Sequence, residues 1–141
     1  MSKSNQAVTG IAEISLRVHD LEAMRKFYEE VIGLEVLQEI EEEGSKAKAV
    51  FYVIGAGDEN MALFEETFIS WSMIDKLPQI DPRLTTFHHV AFHIALDAIA
   101  VEKGRLEGLG VKIVRDRTSA FYFFDPEGKL IEFKTRDEAV P

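Results

Sequence analysis

Apolar and polar residues alternate in two well-separated stretches of the chain. In residues 11–18 the apolar residues 14, 16 and 18 alternate with the polar residues 13, 15 and 17. Residues 88–94 have a similar pattern, with apolar residues at 90, 92 and 94 and with His89, Ala91 and His93 between them. Such alternation is typical of a strand with one buried face. Glu13 and His89 occupy equivalent positions on the polar faces of these two strands.

A helix is predicted after each of these strands. In the first half, apolar residues recur at helical spacing between Asp20, a capping residue, and Gly33, a stop signal. The second helix is predicted between Asp97 and Gly110 in the same way. Its expected buried positions are Ile99, Val101, Leu106 and Leu109.

Three further strands follow each predicted helix, separated by glycine-containing turns. Their ranges are 36–41, 47–54 and 61–65 in the first half and 112–115, 120–124 and 129–135 in the second. We therefore predict an α+β fold of two tandem βαβββ modules that form one curved eight-stranded mixed sheet.

The repeat also gives the domain organisation. The prediction is a single domain, residues 8–141, with the first module at 11–65 and the second at 88–135. Residues 66–87 have no counterpart in the second half and contain two prolines. This linker either packs over the core or forms a lid over a pocket.

Composition narrows the possible functions. The chain has 141 residues, of which 46% are hydrophobic and 29% charged, an ordinary balance for a globular protein. Cysteine is absent, which excludes disulfides and thiolate chemistry. A net charge of −9 disfavours nucleic acid and anionic membranes as partners. The polar N-terminus resembles no signal peptide and no apolar run is long enough to span a bilayer, so we expect a cytoplasmic protein.

Three potential metal ligands lie on the faces that point away from the predicted helices. Glu13, His89 and Glu132 stand on three different strands of the concave side. One imidazole and two carboxylates suit a divalent ion such as Mn²⁺, Fe²⁺, Ni²⁺ or Zn²⁺, with positions left open for substrate. The alternative is a His–Glu or Arg17–Glu pair that is satisfied by hydrogen bonds without a metal. His93 cannot share an ion with His89, because four residues of strand separate them by roughly 13 Å.

Several stretches together resemble the glyoxalase/bleomycin-resistance/extradiol dioxygenase superfamily, also called the vicinal oxygen chelate superfamily. They are residues 14–21, 27–34, 88–92 and 122–133. The resemblance implies a glyoxalase-like fold with ligand positions at Glu13, Ala62, His89 and Glu132. Ala62 cannot bind a metal, which counts against a lactoylglutathione lyase with four protein ligands.

By this resemblance, the chain is a divalent-metal-dependent enzyme that acts on a small substrate with vicinal oxygens, as a lyase, isomerase, dioxygenase or transferase. The second carboxylate would favour Mn²⁺, Mg²⁺ or Fe²⁺. His93 and Tyr122 are the candidates for a catalytic base. The resemblance also implies a homodimer.

The predicted substrate-binding residues are Arg17, Phe64, Trp71 and Phe124. Arg17 would bind an anionic group, or else form a salt bridge with Glu13 or Glu132. Two alternatives stay open: a metal-free, drug-sequestering protein of the bleomycin-resistance type, with aromatic residues such as Phe64 lining an apolar cleft, and a family member with a degenerate site.

Overall fold

The structure of the protein is a computed structural model in which residues 7–68 and 88–136 are described. The first module consists of β1 (Glu13–Val18), α1 (Leu21–Lys26) with a π-helical continuation (Phe27–Ile32), β2 (Glu35–Glu41), β3 (Lys48–Val53) and β4 (Asn60–Glu65). The second consists of β5 (Val90–His93), a 3₁₀ turn (Leu96–Ala98), α2 (Ile99–Gly108), β6 (Arg115–Arg117), β7 (Ala120–Phe124) and β8 (Leu130–Lys134).

The two modules have the same strand order. The first sheet runs β1-β4-β3-β2 and the second β5-β8-β7-β6. In each, the first strand pairs in parallel with the last, and the other pairs are antiparallel. The predicted α+β fold of two βαβββ modules is confirmed. The eight strands of residues 7–68 and 88–136 form two hydrogen-bonded sheets of four, however, and not one continuous sheet.

The first helix begins and ends where its sequence signals predict. The Asp20 carboxylate accepts a hydrogen bond from the Ala23 backbone N–H, which satisfies a donor that the first turn leaves unpaired. Gly33 ends the π-helical continuation with φ at +92°, a conformation that side chains with a Cβ rarely adopt. These two residues fix the length of the helix that packs between the sheets.

The second helix ends before Gly110 as predicted, but it differs from the prediction at its start and in its buried positions. The 3₁₀ turn precedes it, and its N-cap is Ala98, so Asp97 does not cap it. Val101 and Leu109, expected to be buried, are 69% and 56% exposed. The next strand begins at Arg115, three residues later than predicted, because the chain first turns at Gly110. No helix within the described residues is long and apolar enough to cross a membrane.

One hydrophobic core joins the two modules. It contains residues from one face of each sheet and from both helices, including Leu63, Met24, Leu106 and Phe133. The other face of each sheet points away from this shared core. Alternation along the strands therefore decides which side chains face the core and which face outward.

A turn of the second module holds the helix of the first. The Tyr28 hydroxyl donates a hydrogen bond to Asp125 Oδ2 at 2.8 Å. The Glu127 carboxylate accepts hydrogen bonds from the backbone N–H groups of His19 and Asp20 at 2.7–3.0 Å. These contacts fix the orientation of one module on the other, and hence the directions of the two outward faces.

Candidate functional site

His89 and Glu132 meet on the outward face of the second sheet. His89 immediately precedes β5, and Glu132 lies on the neighbouring strand β8, opposite Ala91. The His89 Nε2 atom lies 3.0 Å from Glu132 Oε1. Glu132 is only 5% exposed, and His89 is half-buried. A buried carboxylate requires a partner, because removing an ion from water is costly.

Tyr122 and His88 complete the surroundings of this pair. Tyr122 lies opposite Glu132 on β7, and its ring centroid is 5.8 Å from that of His89. Burial and a hydrogen bond to Glu132 raise the pKa of Tyr122, so its hydroxyl stays a neutral donor. The Nδ1 atoms of His88 and His89 are 2.7 Å apart. One of the two rings therefore donates a hydrogen bond to the other.

Glu13 stands apart from His89 and Glu132. It lies on the outward face of the first sheet, where the Ser15 hydroxyl donates a hydrogen bond to its carboxylate. Across residues 7–68 and 88–136, no three His, Cys, Asp or Glu side chains are close enough to hold one ion. One chain thus brings together two of the three predicted ligands, and the three-ligand site stays a prediction.

Aromatic side chains pack on the outward face of the first sheet. The Phe64 ring makes edge contacts with Phe51 and Phe68, at centroid distances of 5.6 and 5.1 Å. Ala62, at the remaining family ligand position, is fully buried in this cluster. Phe64 is therefore part of a small second core in one chain. Arg17, on the same face, is exposed and pairs with neither Glu13 nor Glu132 in the described part of the chain.

The other predicted site residues are more distant from the His89–Glu132 pair. His93 lies at the far end of β5 and lines a cleft of about 330 Å³ between the modules. Phe124 is 49% exposed and lines a second cleft of about 300 Å³ beside the turn that contains Asp125. Trp71 lies outside the described residues. Of the two candidate bases, only Tyr122 contacts the pair.

Sequence reasoning missed two cations beside the pair, Arg115 and Arg117. The Arg115 guanidinium lies 5.6 Å from the centroid of the Tyr122 ring. Arg117 is near enough to the Tyr122 hydroxyl to act against the rise in the Tyr122 pKa. Both lie on β6, a strand that the sequence pattern predicts to end at Arg115. The alternation of charge in Arg115, Asp116 and Arg117 was the available signal, since it puts both arginines on one face.

Comparison with known proteins places this chain in a family. The Glyoxalase/Bleomycin resistance protein/Dioxygenase superfamily matches residues 10–133. A probable lactoylglutathione lyase of Vibrio parahaemolyticus is 27% identical over 136 residues, which cover 92% of each chain.

Solved structures share the fold at lower identity. A glyoxalase/dioxygenase from Nostoc punctiforme superposes with a TM-score of 0.70 at 22% identity, covering 98% of both chains. A fosfomycin resistance protein, FosX, from Listeria monocytogenes superposes with a TM-score of 0.65 at 21% identity, covering 90% of this chain and 92% of that one. It was crystallised as a mutant with Mn(II) and 1S,2S-dihydroxypropylphosphonic acid. The family match spans nearly the whole chain, and the protein therefore belongs to the glyoxalase/bleomycin resistance protein/dioxygenase superfamily.

Proposed function

We propose that this protein is a divalent-metal-dependent enzyme acting on a small substrate with neighbouring oxygen atoms. The observation that carries the proposal is the contact between His89 and Glu132 on an outward sheet face. Both residues stand at positions where the family has metal ligands. The Mn(II) complex of the FosX relative supports a hard divalent ion, and two carboxylates favour Mn²⁺, Mg²⁺ or Fe²⁺ over softer ions.

The geometry of the pair fits two ligands of one ion. Metal–ligand bonds of about 2.1 Å that meet at right angles leave the two ligand atoms about 3 Å apart. The Nε2–Oε1 distance is 3.0 Å. His88 would support this arrangement by accepting the Nδ1 proton of His89, which leaves Nε2 unprotonated and free to bind.

The third ligand in this proposal is Glu13 from a second copy of the chain. The outward face of each sheet points away from the shared core, and Glu13 does not join His89 and Glu132 within the described part of one chain. A two-fold symmetric homodimer would place the first sheet of one copy against the second sheet of the other, and so form two equivalent sites. In a single chain, only His89 and Glu132 come together, and the third ligand is missing from their site.

The metal would supply Lewis-acid polarisation of two adjacent substrate oxygens. Tyr122 would hold Glu132 in place through its hydroxyl and stand close enough to the substrate to donate a hydrogen bond. His93 is about 13 Å along the strand from His89, so Tyr122 is the better candidate for a role in the chemistry. Ala62 offers no fourth ligand, which favours a three-ligand reaction type such as dioxygenation or addition to an epoxide-like centre over the lactoylglutathione lyase reaction.

Metal analysis tests the site directly. We expect the purified protein to bind about one equivalent of Mn²⁺ or Fe²⁺ per chain, and the His89→Ala and Glu132→Ala variants to lose it. The Glu22→Ala variant is a matched control, because Glu22 is an exposed carboxylate on α1. Metal binding that persists in both His89→Ala and Glu132→Ala would refute the proposed site.

Mixing two defective variants tests the shared site. Glu13→Ala and Glu132→Ala should each fail to bind metal alone. In a heterodimer of the two, one site carries both changes and the other carries neither, so binding should return to about a quarter of the wild-type level after random exchange. No recovery, with dimer exchange confirmed by mass spectrometry, would contradict the assignment of Glu13 to a second copy.

The second candidate function is a metal-free binding protein. The aromatic cluster around Phe64 favours it, because such a cluster can bind an apolar small molecule. The metal titration separates the two candidates: a protein that binds no Mn²⁺, Fe²⁺, Ni²⁺ or Zn²⁺ at His89 belongs to this second class.

A further inference from the structure

Three cations share the outward face of the second sheet with His89 and Glu132. Phe121, Phe123, Ile131 and Phe133 face the core, so the residues that alternate with them face outward. On β6, Asp116 faces the helix side, where Lys103 of α2 pairs with it at 2.6 Å. Its neighbours Arg115 and Arg117 therefore point outward. Lys134 lies two residues after Glu132 on β8 and shares its face.

This face is positive in a chain that is strongly negative overall. The net charge of the protein is −9. Glu132 is the one acidic side chain on this face in the described strands of the second sheet, and its carboxylate contacts His89 and Tyr122. Lys134 and Arg115 form no ion pair with other residues of the described ranges. Like charges held together on a low-dielectric surface attract anions from solution.

The protection of an exposed sheet edge does not account for these cations. Charged side chains on edge strands often prevent association between sheets, and β6 is an edge strand. Lys134, however, lies on β8, which has a strand on each side. The cationic face thus extends into the interior of the sheet, towards the proposed metal ligands.

The strand register gives the spacing between the cations and the His89–Glu132 pair. Arg115 is opposite Tyr122, and Tyr122 is opposite Glu132. Two strand intervals separate the backbones of Arg115 and Glu132 by about 10 Å. The Arg115 guanidinium leans over the Tyr122 ring, 5.6 Å from its centroid, which brings the charge towards the pair. A small molecule can therefore span from the guanidinium to His89 and Glu132.

We propose that Arg115, Arg117 and Lys134 bind an anionic group of the substrate, a carboxylate or a phosphoryl-type group. This inference rests on the proposed function, because it assumes that the neighbouring oxygens of the same molecule approach His89 and Glu132. A guanidinium can form two parallel hydrogen bonds to either kind of anion, and Tyr122 packs beneath the Arg115 guanidinium. The substrate class is therefore a small organic anion whose charged group lies a few bonds from its chelating oxygens.

Anion binding to the full-length, metal-free protein tests this inference separately from metal binding. The probes are methylphosphonate and acetate, titrated in the presence of a chelator and followed by NMR shifts of the arginine side-chain Nε–H groups. We expect saturable shifts that weaken with added salt. The two probes distinguish a phosphoryl-type site from a carboxylate site.

The choice of variants and control depends on the two faces of the sheet. The Arg115→Gln/Arg117→Gln double variant should weaken binding of the preferred probe by at least about tenfold. Lys103→Gln also removes a positive charge, but from the helix side of the second sheet, and it should leave the affinity for the probe unchanged. Lys134→Gln provides a second measurement if the double variant fails to fold, and should weaken binding by a smaller factor.

The outcomes separate this inference from the proposed function. No binding of either probe to the wild-type protein, or equal weakening by Lys103→Gln and the double variant, would overturn it while leaving the metal site intact. If the protein binds anions through the arginines but binds no metal, the proposed anion site is supported and the proposed metal-dependent function is refuted. Unchanged binding in both the double variant and Lys134→Gln also overturns the inference.

Discussion

The hydrogen bond between Tyr28 and Asp125 allows a stringent test of how the two modules are held together. Tyr28 is completely buried, and its hydroxyl donates to Asp125 Oδ2 at 2.8 Å. Burial and the adjacent Asp125 charge raise the pKa of Tyr28, so the hydroxyl remains protonated at all ordinary pH values. The other Asp125 oxygen already accepts the backbone N–H groups of Glu127 and Lys129.

Replacement of Tyr28 by phenylalanine removes only the hydroxyl. The ring still fills its place in the core, but Asp125 Oδ2 loses its donor in a site that is only 4% exposed. A hydrogen bond to a charged group contributes about 1.5–3 kcal/mol, and the loss lies in the upper part of this range when the acceptor stays buried without its donor. We therefore expect Tyr28→Phe to lower the free energy of unfolding by about 2–3 kcal/mol.

Tyr52 is the matched control. Its hydroxyl donates to Glu29 Oε2 at 2.7 Å, but the Glu29 side chain is 26% exposed and is also paired with Arg25. Water and Arg25 can satisfy the carboxylate after Tyr52→Phe, so the expected loss is about 1 kcal/mol.

Urea unfolding followed by far-ultraviolet circular dichroism measures both values, with the slope of the transition as a check on two-state behaviour. A loss for Tyr28→Phe no larger than that for Tyr52→Phe would refute the reasoning. Because Tyr28 and Asp125 belong to different modules, an Asp125→Ala variant that unfolds in two separate transitions would show that this contact couples the modules.

Three further predictions concern the turn, the helix end and the aromatic cluster. Burial alone would raise the pKa of Glu127, but hydrogen bonds from the Asp20 and His19 backbone and the nearby Lys129 charge lower it overall. The ionised Glu127 therefore stabilises the fold above the ordinary carboxyl pKa, and this stabilisation is lost as pH falls through the lowered pKa. In a plot of the urea midpoint against pH, Glu127→Gln should reduce the fall of the midpoint at acid pH. Gly33→Ala should lower the free energy of unfolding by about 1–2 kcal/mol, because φ at Gly33 is +92°. The added methyl group would contact no other atom within 4 Å, so no packing gain would offset the backbone strain. Phe68→Ala should lower the free energy of unfolding by about 3–5 kcal/mol, because Phe68 is buried. Phe124→Ala, at a half-exposed position, should lower it by less than about 1 kcal/mol in the same urea assay. Equal losses for the two variants would contradict the described packing.

Local sequence signals were sufficient for most of the individual elements. Strand β7 has the predicted bounds, and Asp20 and Gly33 delimit the first helix as expected. These features depend on periodicity and on backbone conformations that a few residue types favour. The second helix was less well predicted, because Asp97 lies in a 3₁₀ turn that leads into α2 and moves the N-cap to Ala98.

Part of the candidate site could also be predicted from the sequence, because it depends on strand periodicity. Strand alternation correctly put His89 and Glu132 on a face away from the helices, and the parallel pairing of β5 with β8 brings them together. The cations Arg115 and Arg117 were missed, because the predicted strand ended at Arg115, where β6 begins after the turn at Gly110.

The amino-acid sequence by itself determined the repeat, the strand faces and the family, since each depends on short-range patterns. Only the tertiary structure decided that Glu13 is separated from His89 and Glu132. That separation results from how the modules dock, with both helices in a common core and the Tyr28–Asp125 contact between modules. Docking depends on contacts between residues almost a hundred positions apart, and no local periodicity encodes how the two modules pack against each other.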